Sequence, residues 1–274
     1  MKTLYISDLD GTLLRSDACV SEYTARTINS FVKRGGCFSY ATARSIGTAS
    51  KVIAGLNLAL PVICANGVFI YDSLSKERLL SNFFAQAEAE AIANTLLSMG
   101  VFPMVYAYIN GAEKISYIEK HAAPALKSFL SYRENDPRRR LVQTAKELFS
   151  GDIFRFACWD TEEALLPLEN HFKYDDRVEC IYQKEKYSGE WSCEILPKMA
   201  TKANAALQLK AMLGCDRIVA FGDAVNDLPL FSVADEKYAV ANAEPEVKAA
   251  ATAVIGSNDD DGVAIWIAKN AFPW

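Results

Sequence analysis

The chain has no excess of positive charge. Its 29 lysine and arginine residues are outnumbered by 34 aspartate and glutamate residues, which gives a formal net charge of −5. Nucleic-acid-binding proteins usually present a basic surface, so this balance argues against a nucleic-acid partner. An acidic enzyme that acts on an anionic substrate must build positive potential locally, from a metal ion or a few basic side chains.

Histidine is scarce, and the cysteines show no pairing pattern. The two histidines, His121 and His171, lack the spacing of a metal-binding motif. The seven cysteines are odd in number and include no Cys-x-x-Cys pair, which favours a reducing, cytoplasmic location over a disulfide framework. We expect Cys64, Cys158 and Cys193 to be buried as small apolar side chains.

Long hydrophobic runs are absent as well. Asp8 and Asp10 interrupt the first apolar stretch before a signal-peptide core could form. The most apolar window, residues 56–65, contains Asn57 and Pro61 and is too short to span a bilayer. Because the apolar runs are this short, we expect no membrane contact. Because 51% of the residues are nevertheless apolar, we expect a soluble globular protein with a substantial core.

Both ends of the chain alternate between strand-like and helix-like segments. Ser21 is a predicted N-cap of one helix, and Lys202 begins another. Apolar strands are predicted at residues 4–6, 37–41, 62–65 and 218–221. Asn66-Gly67, directly after one of these strands, predicts a β-hairpin. Strands separated by helices indicate an α/β fold with a parallel, Rossmann-like sheet.

The middle of the chain has a different pattern. An alanine-rich helix is predicted at 85–98 and a second helix at 162–171. Predicted strands lie at 101–109, 153–158, 178–182 and 191–196. This order is typical of a separate α+β unit. We therefore predict a discontinuous core, residues 1–82 and 189–274, with an inserted α+β domain at 83–188.

Acidic residues follow two of the predicted core strands. Asp8 and Asp10 are two positions apart at the end of the first strand, so both side chains can converge on one point beyond the sheet. Asp223 and Asp227, with the amide of Asn226 beside them, follow the last of those strands. Ligands of parallel α/β sheets collect at the carboxyl ends of the strands, so one crevice could hold all four carboxylates. The pattern indicates a site for a divalent metal and a phosphate.

Two further residues suit a phosphate ligand. Thr42 directly follows the second strand, where we expect the next helix to begin, and its hydroxyl could bind phosphate oxygens beside the helix N-terminal amides. Alternatively, Thr42 is simply the N-cap of that helix. Lys202 opens a helix, a place where a cation is electrostatically unfavourable unless it faces an anion. The alternative for Lys202 is an ordinary solvated lysine.

Four segments carry these candidate residues, in the order Asp8 to Asp10, Thr42, Lys202, and Asp223 to Asp227. In this order they resemble the haloacid dehalogenase-like phosphatases, most closely the Cof-type sugar phosphatases. That branch has an α+β cap of the C2 type inserted between the second and third motifs, which implies that residues 83–188 form such a cap. The resemblance extends to Asn66-Gly67 and to segments 239–248 and 261–264. The chain departs from the family by having alanine where glycine is common, at Ala43, Ala203 and Ala224.

The resemblance implies a Mg²⁺-dependent phosphatase that hydrolyses small phosphate monoesters, such as sugar phosphates or similar phosphorylated metabolites. Asp8 would be the nucleophile and form an aspartyl-phosphate, and Asp10 would serve as general acid and then general base. The implied Mg²⁺ ligands are Asp8, the Asp10 backbone carbonyl and Asp223, with Asp227 close by.

The phosphate- and substrate-binding set implied by the same resemblance is Thr42, Ala43, Arg44, Lys202 and Asn226. For Arg44, two roles stay open, a contact with the substrate and a surface ion pair. The inserted domain is expected to be a mobile lid that closes over the leaving group of the substrate.

Two other functions share parts of this pattern. A phosphomutase of the same superfamily would have the same acids and a similar cap, but the short loop at 222–227 favours a hydrolase. A phospho-aspartate signalling module also surrounds Mg²⁺ with aspartate, threonine and lysine. Such modules are much shorter and place the phosphorylated aspartate later in the sheet, whereas Asp8 follows the first strand.

Overall fold

The chain folds into two compact units. A computed structural model describes residues 1–132, 134–184 and 189–271. The core unit comprises residues up to Ser81 and those from Ala200 onward, and the inserted unit is Asn82–Met199. The predicted boundary at 188 lies outside the described residues. The two units divide after Met199 because the strand at 191–197 pairs with strands of the inserted unit.

A parallel sheet forms the centre of the core unit, in the strand order β14-β13-β12-β1-β2. Its strands are β1 (Thr3–Ser7), β2 (Cys37–Tyr40), β12 (Arg217–Gly222), β13 (Glu236–Val240) and β14 (Ala253–Ile255). Every pairing in this sheet is parallel, and β1 lies between β12 and β2. The predicted α/β class with a Rossmann-like sheet is confirmed.

The α-helices of the core unit alternate with these strands along the chain. They are α1 (Glu22–Lys33), α2 (Ile46–Val52), α7 (Lys202–Leu213), α8 (Leu228–Val233), α9 (Pro245–Ala250) and α10 (Gly262–Asn270). Ser21 caps α1 by accepting a hydrogen bond from the Thr24 amide at 3.0 Å, as predicted. Thr201 caps α7 in the same way, by accepting from the Asn204 amide at 3.1 Å.

The predicted hairpin is confirmed. It consists of β3 (Val62–Cys64) and β4 (Phe69–Tyr71), and β4 pairs further with β5 (Arg78–Ser81). Asn66 adopts the left-handed conformation (φ 55°) that such turns favour. Gly67 has φ 97°, and a Cβ added there would lie 2.2 Å from the Thr201 carbonyl oxygen. Glycine therefore lets the hairpin approach the start of α7.

The inserted unit contains a mostly antiparallel sheet in the order β10-β11-β9-β6-β7-β8. Among the strand pairings of its described residues, only β7–β8 is parallel. Its strands are β6 (Met104–Ile109), β7 (Ala112–Tyr117), β8 (Arg139–Leu141), β9 (Asp152–Asp160), β10 (Val178–Lys184) and β11 (Trp191–Pro197). Its helices are α3 (Gln86–Ser98), α4 (Pro124–Ser131), α5 (Ala145–Leu148) and α6 (Glu162–Phe172). Apolar side chains of the sheet, such as Phe156 and Ile195, pack with Leu96 of α3 and Leu168 of α6 into one core.

Cys64, Cys158 and Cys193 are buried, as predicted. Among the described residues, no helix is both long enough and apolar enough to cross a membrane. The cytoplasmic location stays a prediction.

We expect Gly67→Ala to destabilise the protein more than Gly35→Ala. Both glycines have a positive φ, 97° and 89°, which costs a non-glycine residue about 1–2 kcal/mol. Of these two, only the Gly67 Cβ would also meet backbone atoms. For a Cβ at Gly35, no atom of the described residues beyond its chain neighbours lies within 4 Å. Urea unfolding of both variants measures the difference, and equal losses of stability would contradict the close approach of the hairpin to α7.

Candidate active site

The carboxyl ends of three adjacent strands bring the site together. Asp8 follows β1, Thr42 lies just beyond β2, and Asp223 directly follows β12. The pairing continues to the edge of the sheet, because the Asp8 amide donates to the Phe221 carbonyl at 3.0 Å. Since these strands are parallel neighbours, the residues that follow them share one edge, as expected for a ligand site.

Lys202 is the cation at the centre of this site. Its Nζ lies 2.5 Å from Asp8 Oδ1 and 2.6 Å from Asp227 Oδ1, and the residue is only 2% exposed. Burial alone lowers the pKa of Lys202, but Asp227 and Asp8 outweigh burial, so the pKa is raised and the ammonium stays charged. Lys202 is therefore not an ordinary solvated lysine, and the anions that it faces in the structure are carboxylates of the chain. Binding of phosphate by Lys202 stays a prediction.

Asp223 and Asp227 are held by the turn that follows β12. Thr12 Oγ1 donates to Asp223 Oδ1 at 2.9 Å. Asp227 Oδ2 accepts from the amides of Asp223 at 3.0 Å and Ala224 at 3.2 Å. Asp227 is fully buried, so these bonds fix the turn and leave its other oxygen for Lys202.

Two glycines allow the acidic side chains to pack against the backbone. Gly11 has φ 79°, and a Cβ there would lie 2.5 Å from Asp223 Oδ2. A Cβ at Gly222 would lie 2.7 Å from the Cβ of Asp227. A side chain at either position would force the neighbouring acid to shift.

The residues present fit a divalent metal ion. One carboxylate oxygen from each of Asp8, Asp223 and Asp227 lies within 4.8 Å of the others. These three buried carboxylates and one buried ammonium, that of Lys202, have a combined formal charge of −2. Burial raises the pKa of the Asp8 carboxyl well above its ordinary value, and Lys202 offsets only part of this. A cation of charge +2 would neutralise the cluster, and oxygen ligands are those that Mg²⁺ prefers.

Asp10 lies at the more exposed side of the site. Arg44 holds its carboxylate in a two-pronged ion pair, from Nε to Oδ2 at 2.8 Å and from Nη2 to Oδ1 at 2.5 Å. The side chain of Asp10 is 52% exposed and that of Arg44 is 27% exposed. Of the two roles left open for Arg44, the structure contains an ion pair, and its partner is a predicted catalytic residue. A contact of Arg44 with substrate stays a prediction.

The structure corrects the expectation for Thr42. Helix α2 begins at Ile46, and its N-cap is Ser45, whose hydroxyl accepts from the Thr48 amide. Thr42 is therefore neither at the helix start nor its N-cap. Its buried Oγ1 instead accepts from the Arg44 amide at 3.1 Å within the loop after β2. The sequence misled because Ser45 is also a good N-cap, three residues later.

The remaining predicted residues lie on the same two loops. Ala43 is exposed in the loop after β2, and Asn226 is exposed in the turn after β12. Binding of phosphate by Thr42, Ala43 or Asn226 stays a prediction.

Sequence reasoning gave no role to Asn242. Its Nδ2 donates to the Gly11 carbonyl oxygen at 2.7 Å, across 231 positions of sequence. A signal was present, because Asn242 follows an apolar strand of the same sheet at its carboxyl end, as the acidic residues do.

Comparison with known proteins identifies the family. A family model described as haloacid dehalogenase-like hydrolase matches residues 5–267. A 5-amino-6-(5-phospho-D-ribitylamino)uracil phosphatase, YwtE of Bacillus subtilis (strain 168), is 30% identical over 97% of each chain. The HMP-PP phosphatase of Klebsiella pneumoniae (strain 342) is 28% identical over 91% of this chain and 88% of its own.

A solved structure shares the fold. TM0651 from Thermotoga maritima has a TM-score of 0.79 and 24% identity, and the alignment covers 100% of this chain and 99% of that one. The chain belongs to the haloacid dehalogenase-like hydrolase family. Within this family it is a phosphatase of the Cof type.

We expect Lys202→Met to lower the free energy of unfolding by about 3–5 kcal/mol without divalent cations, because it leaves Asp8 and Asp227 buried without a counter-charge. A carboxyl whose pKa is higher in the folded than in the unfolded chain destabilises the protein as the pH rises above the pKa of that carboxyl in the unfolded chain. The deficit should therefore be smaller near pH 5 than near pH 7.5. The control is Lys210→Met on the same helix, and equal deficits for both variants would contradict the central role of Lys202.

Proposed function

We propose that the protein is a Mg²⁺-dependent phosphatase that hydrolyses small phosphate monoesters through a phosphorylated Asp8. The observation that carries this proposal is the position of Asp8, a buried carboxylate fixed 2.5 Å from Lys202 and beside two further buried acids. Such a carboxylate is held in one orientation, and the lysine can balance the negative charge of a phosphate that approaches it.

In the first half-reaction, a carboxylate oxygen of Asp8 attacks phosphorus, and an O–P bond forms. The bond between phosphorus and the leaving-group oxygen breaks, and Asp10 donates a proton to that oxygen. In the second half-reaction, the ionised Asp10 removes a proton from water, which attacks phosphorus and releases Asp8 as carboxylate. Asp10 returns to its protonated form, so one side chain serves both steps.

The residues around Asp8 would hold the transferring phosphate. Lys202 supplies positive charge, and Thr42, Ala43 and Asn226 lie on the loops after β2 and β12, at the same edge of the sheet. Arg44 keeps the Asp10 side chain at the site through its ion pair. Mg²⁺, held by Asp8, Asp223 and the Asp10 carbonyl with Asp227 nearby, would supply the charge that lets an anionic nucleophile meet an anionic phosphate.

We further propose that the substrate is a sugar phosphate or a related phosphorylated polyol. Support comes from the 30% identical Bacillus subtilis relative, whose name specifies a phosphoribityl compound. The inserted unit is proposed to act as the cap domain and to select among phosphate esters. A phosphomutase remains the second candidate, and it differs in transferring the phosphate to a hydroxyl other than that of water.

We expect Asp8→Asn to abolish turnover while the protein stays folded, because an amide is a far weaker nucleophile than a carboxylate. Rapid acid quench of the wild type with 4-nitrophenyl phosphate, followed by peptide mapping, should locate phosphate on Asp8. In Asp10→Asn the phosphorylated form should accumulate, because its hydrolysis lacks the general base.

The matched control for these variants is Asp216→Asn, since Asp216 lies in the same unit but bonds to the amide of Lys2 rather than to the site. Phosphate release by folded Asp8→Asn at a rate close to that of the control would contradict the proposal. Phosphate that appears on a hydroxyl acceptor rather than in solution would favour the mutase instead.

A further inference from the structure

Two asparagines hold the backbone of the loop that carries Asp10. Asn242 Nδ2 donates to the Gly11 carbonyl at 2.7 Å, and Asn258 Nδ2 donates to the Leu14 carbonyl at 3.0 Å. The asparagines are also joined to each other, because Asn242 Oδ1 accepts from the Asn258 amide at 3.0 Å. Asn242 comes from the loop after β13 and Asn258 from the loop after β14. The loop is therefore restrained by distant parts of the core unit.

The segment that contains Asn242 also restrains Asp223, which follows the neighbouring strand β12. The Glu244 amide donates to the Asp223 carbonyl at 2.8 Å, two residues after Asn242. Segment 242–244 thus bonds to the backbone of both the Asp10 loop and the Asp223 loop. Together with the direct bond from Thr12 to Asp223, this segment restrains the separation of the two loops, and it carries no acid or base of the proposed reaction.

The loop needs such a restraint at Gly11. Gly11 follows Asp10 and has φ 79°, and glycine is the residue with the least intrinsic restriction of its backbone. Leu9 and Thr12 on either side are buried, whereas Asp10 is exposed at the tip of the turn. A carbonyl fixed at Gly11 limits the rotation of the turn and hence the direction in which Asp10 points.

We propose that Asn242 is a positioning residue for Asp10 and acts through the Gly11 carbonyl. The inference rests on the proposed role of Asp10 as general acid and base. Asn242 touches no reacting atom in this account. Its loss should therefore impair only the steps in which Asp10 transfers a proton, and these matter most when the leaving group is strongly basic.

The test compares formation of phosphorylated Asp8 from phenyl phosphate and 4-nitrophenyl phosphate by rapid quench. The two esters are of similar size, but nitrophenolate is the weaker base and needs less help from an acid. We expect Asn242→Ala to slow the burst with phenyl phosphate about fivefold to tenfold, the effect of one lost hydrogen bond. The burst with 4-nitrophenyl phosphate should change less than about twofold.

The chain offers a closely matched control in Asn29. Its Nδ2 donates to the Gly55 carbonyl at 2.8 Å and its Oδ1 accepts from the Asn57 amide at 2.7 Å, the same double bridge that Asn242 makes. Asn29→Ala should leave both bursts unchanged. Asn242→Asp is a second variant that keeps an acceptor for Asn258 but cannot donate to Gly11. It should reproduce the selective loss even if Asn242→Ala folds poorly.

A double variant separates positioning from general structure. In an Asp10→Asn background, Asn242→Ala should cause no further loss, because the group that it positions is gone. An equal loss with both esters, or a full additional loss in that background, overturns the inference. If Asp10→Asn alone slows both esters equally, Asp10 is not the general acid, and the inference about Asn242 is wrong as well. A failure confined to the Asn242 variants overturns the inference alone.

Discussion

The structure of the active site depends on one buried ion-pair network, in which Lys202 joins Asp8 and Asp227. A lysine in the first turn of a helix opposes the helix dipole, and its burial adds a desolvation cost. Both costs are offset only because two carboxylates lie within hydrogen-bond distance. Helix α7, the strand end at Asp8 and the turn at Asp227 are therefore fixed relative to one another by charge as well as by packing.

The same network leaves the site short of positive charge. A third carboxylate, Asp223, is also buried. Thr12 donates a hydrogen bond to it, and the lack of a side chain at Gly11 leaves room for it. The parallel sheet brings these groups to one edge, and Gly11 and Gly222 have no side chains that would separate them. A buried cluster with two excess negative charges is costly by itself, and a divalent cation is the simplest means to neutralise it.

The sequence was sufficient for features encoded within a short segment. Apolar runs with helices between them predicted the parallel sheet, Asn66-Gly67 predicted the hairpin, and the unusual place of Lys202 predicted an anion beside it. Features that depend on the folded chain were missed. The start of α2 was expected at Thr42, but the N-cap is Ser45, three residues later, and serine and threonine both suit that position. The bond from Asn242 to Gly11 spans 231 positions, and no local pattern encodes a pairing over that distance.

A calorimetric titration of Mg²⁺ into the protein near neutral pH measures directly whether a divalent cation neutralises the acidic cluster around Lys202. We expect one binding site per chain and a large loss of affinity in Asp223→Ala. Asp259 is an acid that bonds to Ser16 outside the cluster, so Asp259→Ala should bind Mg²⁺ as the wild type does. Absence of Mg²⁺ binding by the wild type, or equal affinity in both variants, would contradict a metal site built from the acids around Lys202.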